Sequence, residues 1–474
     1  MLHLLVAMAS AQNYQYELKW QSIDETTAAI TGIYWQQLNW NLDDPTPIQT
    51  DVNIPSTVET DGHVFTVTAI AANAFANKEW ITSINMPSTI RTIGTSAFAF
   101  CEDLVTCHIP EGVVEMDNQA FLNCGKLTTV SIPSTLSVIP DRTFAGCSAL
   151  SQVNIAPGVQ VINTSAFLNC TSLTEVPLPE GLLEIQYGAF SDCTSLERVL
   201  IPSTVEVLGT GAWTNAFIGC SNLKAIMVHP NNPYFDSRDN CNAIIDTEYQ
   251  TLITGCSTTT FPQEGIYCIG NSAFYKCKGL QSVVLPDGVR VIEGAAFKGC
   301  EDLQEVVLPR YLSEIGAQAF MDCTSLTSFE VPWGVQETAS EMLYGCTSLR
   351  TLYLPENLTK FNNDYDLPAL TDLYCFRSQP PTAKPSYLSQ IAKHTTLHVY
   401  SNYLSAYKQD SYWKEFFKIV AITDDEVGVH SLPTTAAPAA SETFTLDGRA
   451  ISTPRKGIHI IRRADGPAQK ILVK

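Results

Sequence analysis

The sequence predicts a mainly β repeat solenoid, on three observations. Phe75, Phe98, Phe121, Phe144, Phe167 and Phe190 follow one another at 23 residues, and after a longer gap the step resumes with Phe274, Phe297 and Phe320. A Cys stands three residues after the Phe slot in ten of eleven units, from Cys101 to Cys346. Between each Cys and the next Phe lies an L-x-x-L-x-L signature, as in Leu127, Val130, Ile132 or Leu303, Val306, Leu308. Its last two apolar positions have the two-residue period of a strand with one buried face. One such unit cannot bury its apolar side alone, whereas stacked units can.

Bulk composition narrows the function. The 474 residues carry 28 Lys+Arg against 48 Asp+Glu, a net charge of −20, which argues against a nucleic-acid partner needing a basic face. With 45% hydrophobic and 16% charged residues the chain can bury a core, so disorder is excluded. Nothing approaches the ~20 consecutive apolar residues of a membrane span, so no transmembrane segment is expected.

From the N-terminus, residues 2–9 are mostly apolar and Ala9-Ser10-Ala11 has the small-x-small form of a signal-peptidase site, so residues 1–11 read as a secretory signal peptide. A short apolar tail is the other reading. Residues 12–70 alternate apolar positions around an Asp61-Gly62 turn and suggest a β-cap over the first repeat. The array runs over 71–422. In each unit a Pro such as Pro133 or Pro309 ends the strand, because it cannot donate to the ladder. Turn pairs such as Asp287-Gly288 follow, then a second short apolar segment. Ala-Phe-x-x-Cys reads as a tight helical turn carrying Phe inward.

A longer gap separates Phe217 from Phe274, and an insertion occupies about 229–262. Ala243-Ile244-Ile245 and Thr251-Leu252-Ile253 read as its β-hairpin. A turn centred between Glu248 and Tyr249 sets Cys241 opposite Cys256, near disulfide range, so the expectation is either a bridge or two free thiols. The register Cys are expected to form a reduced, buried ladder of small apolar side chains, with Cys107 and Cys375 on strand core positions. A closing unit at about 376–422 holds a short helix over 403–417 and the strand Ile419 to Ile422. Residues 423–441 read as a linker, and 442–474 as a small tail of three short strands carrying +4.

The register resembles the BspA-like leucine-rich repeat surface proteins, whose pattern is I-P-x-x-V-x-x-I-G-x-x-A-F-x-x-C. It is matched here by Met86, Pro87, Ile90, Ile93, Gly94, Ala97, Phe98 and Cys101. The resemblance implies a secreted or outer-surface binding and adhesion module. The tail, with Asp447-Gly448-Arg449, Lys456-Gly457-Ile458 and Lys470 to Lys474, is similar to the C-terminal sorting domains of type IX secretion.

No catalytic constellation stands out: there is no G-x-S-x-G, H-E-x-x-H, P-loop or dinucleotide fingerprint. The expectation is no catalytic residue, no metal, no cofactor and no enzyme. His394 and His398 read as ordinary surface residues rather than a metal pair. Binding residues are sought where the strands point outward. That column is mostly small or polar at Asn85, His108, Ser131 and Asn154, and mostly apolar at Leu200, Met227, Val284, Val307, Tyr353 and Tyr374. These last six are the candidate partner surface, against the alternatives that the inserted hairpin covers them or that strand propensity selects them. The expected partner is an extracellular protein, with a glycan as the alternative.

Overall fold

Two strands per repeat carry the architecture. In the computed structural model, Thr129–Ile132 alternates exposed and buried residues and pairs in parallel with Gln152–Ile155, setting Val130 beside Val153 and Ile132 beside Ile155. The second strand is only two residues long. Val138–Ile139, Val161–Ile162, Glu184–Ile185 and Val207–Leu208 form one parallel sheet in that order. The structure describes residues 3–6, 14–37, 50–209, 215–362 and 367–422, together with four strands of the tail.

Contacts divide the chain into two units, residues 1–248 with 253–260, and residues 249–252 with 261–474. Each is a parallel β-solenoid. The division runs through the inserted hairpin.

The expected helical turn at Ala-Phe-x-x-Cys is a stack of non-helical turns. Within one repeat Ala97 N–H bonds Gly94 O, Ala99 N–H bonds Ser96 O and Cys101 N–H bonds Phe98 O. The intervening donors Ser96, Phe98 and Phe100 reach the carbonyls of Asn118, Ala120 and Leu122 in the next repeat at 2.7–3.0 Å. Ser96 and Phe100 have φ of 54° and 60°, and the left-handed step recurs at Gln119 and Asn123 and at Ser165 and Asn169. A left-handed residue every four positions stops a helix from propagating and aims alternate amides at the neighbouring repeat, so the buried backbone stays paired. Asn and Asp tolerate this conformation, and Gly takes it without strain. At Gly146 the need is doubled: φ is +77°, and an added Cβ would collide with the Asn123 side chain.

The Phe side chains these turns deliver form a spine. In the first unit Phe75, Phe98, Phe121, Phe144, Phe167, Phe190 and Phe217 stack with centroids 5.0–5.5 Å apart. In the second, Phe274, Phe297 and Phe320 stack at 5.0 and 5.1 Å. That spacing follows the ~4.8 Å separation of neighbouring strands and falls within the range of favourable offset stacking.

The register thiols are buried as expected, with a role the residue pattern did not disclose. Nine of the ten donate to the carbonyl of the preceding repeat's Phe, among them Cys124 to Phe98 at 3.2 Å, Cys147 to Phe121 at 3.3 Å and Cys300 to Phe274 at 3.0 Å. A Val there would leave that carbonyl with one partner fewer. Cys107 and Cys375 lie on the strand core beside Ile84 and Leu354. Burial pushes the Cys193, Cys300 and Cys346 thiols up to about 12.

The ends are built differently. Tyr14–Ser22 and Thr27–Gln37 form an antiparallel hairpin, and the second strand runs in parallel beside His63–Ile70. Tyr16, Leu18, Trp20, Ile30 and Ile33 are buried by it. His3–Val6 pairs antiparallel with residues 17–20, while Ala9-Ser10-Ala11 lies outside the described residues. The Asp61-Gly62 turn joins Thr57–Thr60 to His63–Ile70 with φ of 50° and 78°, the paired positive angles of a tight hairpin. At the other end Asp372–Cys375, Thr396–Val399 and Lys418–Ala421 are parallel neighbours. The helix expected over 403–417 is broken: Leu404–Gln409 stops where Asp410 Oδ1 accepts from the amides of Tyr412 and Trp413. A second helix, Pro385–Ala392, begins on the proline suited to a first helical position. In the tail, Glu442–Phe444, Ala450–Ile451, Gly457–Arg462 and Gln469–Val473 form an antiparallel sheet, four strands where three were expected. Residues 423–441 lie outside the described residues.

Candidate functional site

Because the strands alternate, every inward residue is committed to the core and the outward column is left to chemistry. In the first unit Leu200 and Met227 are register partners, 49% and 53% exposed. The hairpin strand Ala243–Asp246 therefore does not cover them. In the second unit Val284 and Val307 are partners, 60% and 45% exposed.

Further along the second unit the column turns aromatic. Tyr353 pairs with Tyr374, and Tyr374 with His398. The rings stack at 4.9 Å and 4.2 Å. Tyr353 and Tyr374 are only half-buried. His398 is buried rather than a surface residue, because its strand runs beside Lys418–Ala421 and Tyr374 covers its face. Its Nε2 lies 2.8 Å from Asp372 Oδ1. His394 is exposed, so the two histidines are not brought together. Burial, with the Glu330 and Asp372 carboxylates nearby, pushes the Tyr353 hydroxyl up.

Beside this column lies a pocket of about 140 Å³, whose lining includes Arg310, Glu330, Trp333, Tyr353, Glu356 and Tyr400. Two register columns build it. Glu330 and Tyr353 are neighbours in the outward column. Arg310, Trp333 and Glu356 each follow the strand-ending Pro309, Pro332 or Pro355, at 23-residue steps. Other repeats fill that post-proline slot with Ser88, Ser134, Ser203 or Asp287. Trp333 Nε1 donates to Glu356 Oε1 at 3.2 Å, and the Arg310 guanidinium lies 5.5 Å from the Trp333 ring centroid. Only Tyr353 of this group was a candidate from sequence. Reading the post-proline slot as a column would have found three more.

Cys241 and Cys256 are buried, free thiols rather than the bridge that one reading expected. Cys241 precedes the strand, which starts at Ala243, and Asn240 and Asn242 both take φ of 53°. The chain turns there, so direct cross-strand opposition is lost. Cys256 Sγ instead lies 3.4 Å from Asn242 O. Asp236 pairs with Arg238 at 2.7 Å. Among the described residues no group of three or more His, Cys, Asp or Glu could hold a metal ion. No described helix is long and apolar enough to cross a membrane.

Comparison with known proteins bears on the whole array. A family profile described as the BspA type Leucine rich repeat region matches in six copies, over residues 68–197, 150–264 and 244–365. No curated protein matches the sequence. Among solved structures, a leucine rich cell surface protein from Faecalibacterium prausnitzii is 24% identical, covering 78% of this chain and 94% of its own, with a TM-score of 0.56. The pneumococcal vaccine antigen PcpA is 17% identical, covering 88% of this chain and 99% of its own, with a TM-score of 0.57.

Proposed function

Because this chain belongs to the BspA-type leucine-rich repeat family, we propose that it is a secreted or cell-surface binding protein whose outward strand column engages an extracellular protein, in adhesion to host or other cells. The observation that carries the reading is the exposure of Leu200, Met227, Val284 and Val307 on strands whose inward residues Val199, Ile201, Ile226, Val228 and Val283 are buried. Half-exposed aliphatic side chains on a rigid ladder present contact area at little ordering cost. The surface placement draws support from the two similar structures, one a leucine rich cell surface protein and the other a pneumococcal vaccine antigen. Catalysis forms no part of the proposal, and the type IX sorting role of the tail is proposed on its sequence alone.

The test is retention of the full chain on immobilised extracellular-matrix proteins. A Met227→Glu, Val284→Glu double substitution is expected to abolish retention with melting unchanged. Retention equal to wild type removes this surface from the proposal.

A second reading, a carbohydrate-binding accessory protein without catalysis, is favoured by one observation: the aromatic and carboxylate lining of the pocket beside Tyr353.

A further inference from the structure

That second reading can be taken to a ligand class. We propose that the pocket around Tyr353 and Trp333 holds a single neutral pyranose ring of a glycan. The proposal rests on the carbohydrate reading and not on the protein-binding one.

Three properties of the pocket point to this ligand. The first is size. At about 140 Å³ the pocket is far smaller than a site enclosing a drug-sized ligand, ~300–1,000 Å³. It suits one ring rather than a peptide segment.

The second is the kind of surface. Tyr353, Trp333 and Tyr400 supply ring faces, and the C–H faces of a pyranose pack on such rings. In the two repeats after Pro355, Phe376 and Tyr400 follow Cys375 and Val399, where earlier repeats place the strand-ending proline. This exchange walls the pocket with aromatic groups at one end. Tyr353 is braced from behind by Tyr374 and His398, and Trp333 by its bond to Glu356 and by Arg310, so the platforms are set before a ligand arrives.

The third is polarity. Glu330 and Glu356 can only accept hydrogen bonds from hydroxyls, whereas Arg310 can only donate to them. A ligand that is donor and acceptor at once, with no net charge, satisfies both. A lysine side chain, which can only donate, offers the Arg310 guanidinium no acceptor. A uronic or sialic acid would meet two carboxylates on a chain whose net charge is already −20.

The experiment uses the full chain, isothermal titration and saturation-transfer NMR. The probes are methyl glycosides of glucose, galactose, mannose and N-acetylglucosamine, with methyl glucuronide and N-acetyl-lysine methylamide as charged comparators. The expected result is saturable binding of at least one neutral glycoside. Trp333→Ala should weaken it at least tenfold, and Glu330→Gln, which keeps the shape, should weaken it severalfold, both with unchanged melting. Neither charged probe should compete. If a neutral glycoside binds and both variants bind it as wild type does, the pocket assignment falls while the carbohydrate reading stands. Preferential binding of the glucuronide or the lysine amide overturns the ligand class. Absence of binding by every glycoside removes the pocket assignment and the carbohydrate reading together.

Discussion

The outward face over Asn85, His108, Ser131 and Asn154 and the one over Glu330, Tyr353, Tyr374 and His398 share one backbone and one inner register. The first is polar and carries no Phe, Tyr or Trp. The second is an aromatic column beside a pocket. The stacked phenylalanines run beneath the first and end at Phe320, in the repeat of Glu330, while the same thiol-to-carbonyl bonds serve both, Cys147 to Phe121 in one unit and Cys346 to Phe320 in the other. The difference teaches that the inward columns carry the fold, so the outward and post-proline columns are open to vary without disturbing it.

Conditions that attack the inward columns should not distinguish the two faces. The largest expected effect is alkaline unfolding. Among the folded thiols, Cys193 in the first unit and Cys300 and Cys346 in the second are raised from 9.0 to about 12. A group raised on folding contributes stability that is full below its unfolded pKa and is lost as pH rises through the folded one. Both units should therefore melt progressively lower between pH 9 and pH 12, followed by circular dichroism. Loss confined to one unit would break the equivalence.

Next come spine truncations. Phe144→Ala under the polar face and Phe297→Ala in the aromatic unit should each cost about 3–5 kcal/mol in denaturant unfolding, from lost transfer energy and the cavity left. Cys147→Ala and Cys323→Ala should each cost about 1–2 kcal/mol, since a small apolar group and a weak hydrogen bond are lost together. Unequal costs within either pair would show that the faces do alter the core beneath them.

Outward substitutions should separate the faces. Tyr374→Ala removes stacking on Tyr353 and His398 and should cost about 1–2 kcal/mol, whereas Asn154→Ala should change stability by less than about 0.5 kcal/mol. Similar values for the two would mean the aromatic column is not a coupled stack. The smallest expected effect concerns the insertion. Alkylation in denaturant without reductant should label Cys241 and Cys256 in full, with no change on adding reductant. A mass shift requiring reductant would restore the bridge.

Much of this was legible in the residues. The 23-residue step named the spine before any coordinates, and strand alternation named the outward column, including Leu200, Met227 and the pair Val284 and Val307. The alternating turn of Ser96 to Cys101 was missed because i→i+3 contacts look helical in sequence, although Asn123, Asn169 and Asp192 just before the Cys were a signal for left-handed positions. The burial of His398 depends on which strands flank it, which spacing along the chain does not report.

The sequence by itself determined the repeat, its inward residues and which side of each strand meets solvent, because a fixed register makes every unit's environment that of its neighbours. Only the tertiary structure decided where the thiols donate, that Cys241 and Cys256 stand as free thiols, and that Arg310, Trp333, Glu330 and Tyr353 border one pocket with Tyr400. Those outcomes rest on distances between chain segments 15 or more residues apart, set by stacking and by local turns such as Asn242, and not by the identity of any one residue.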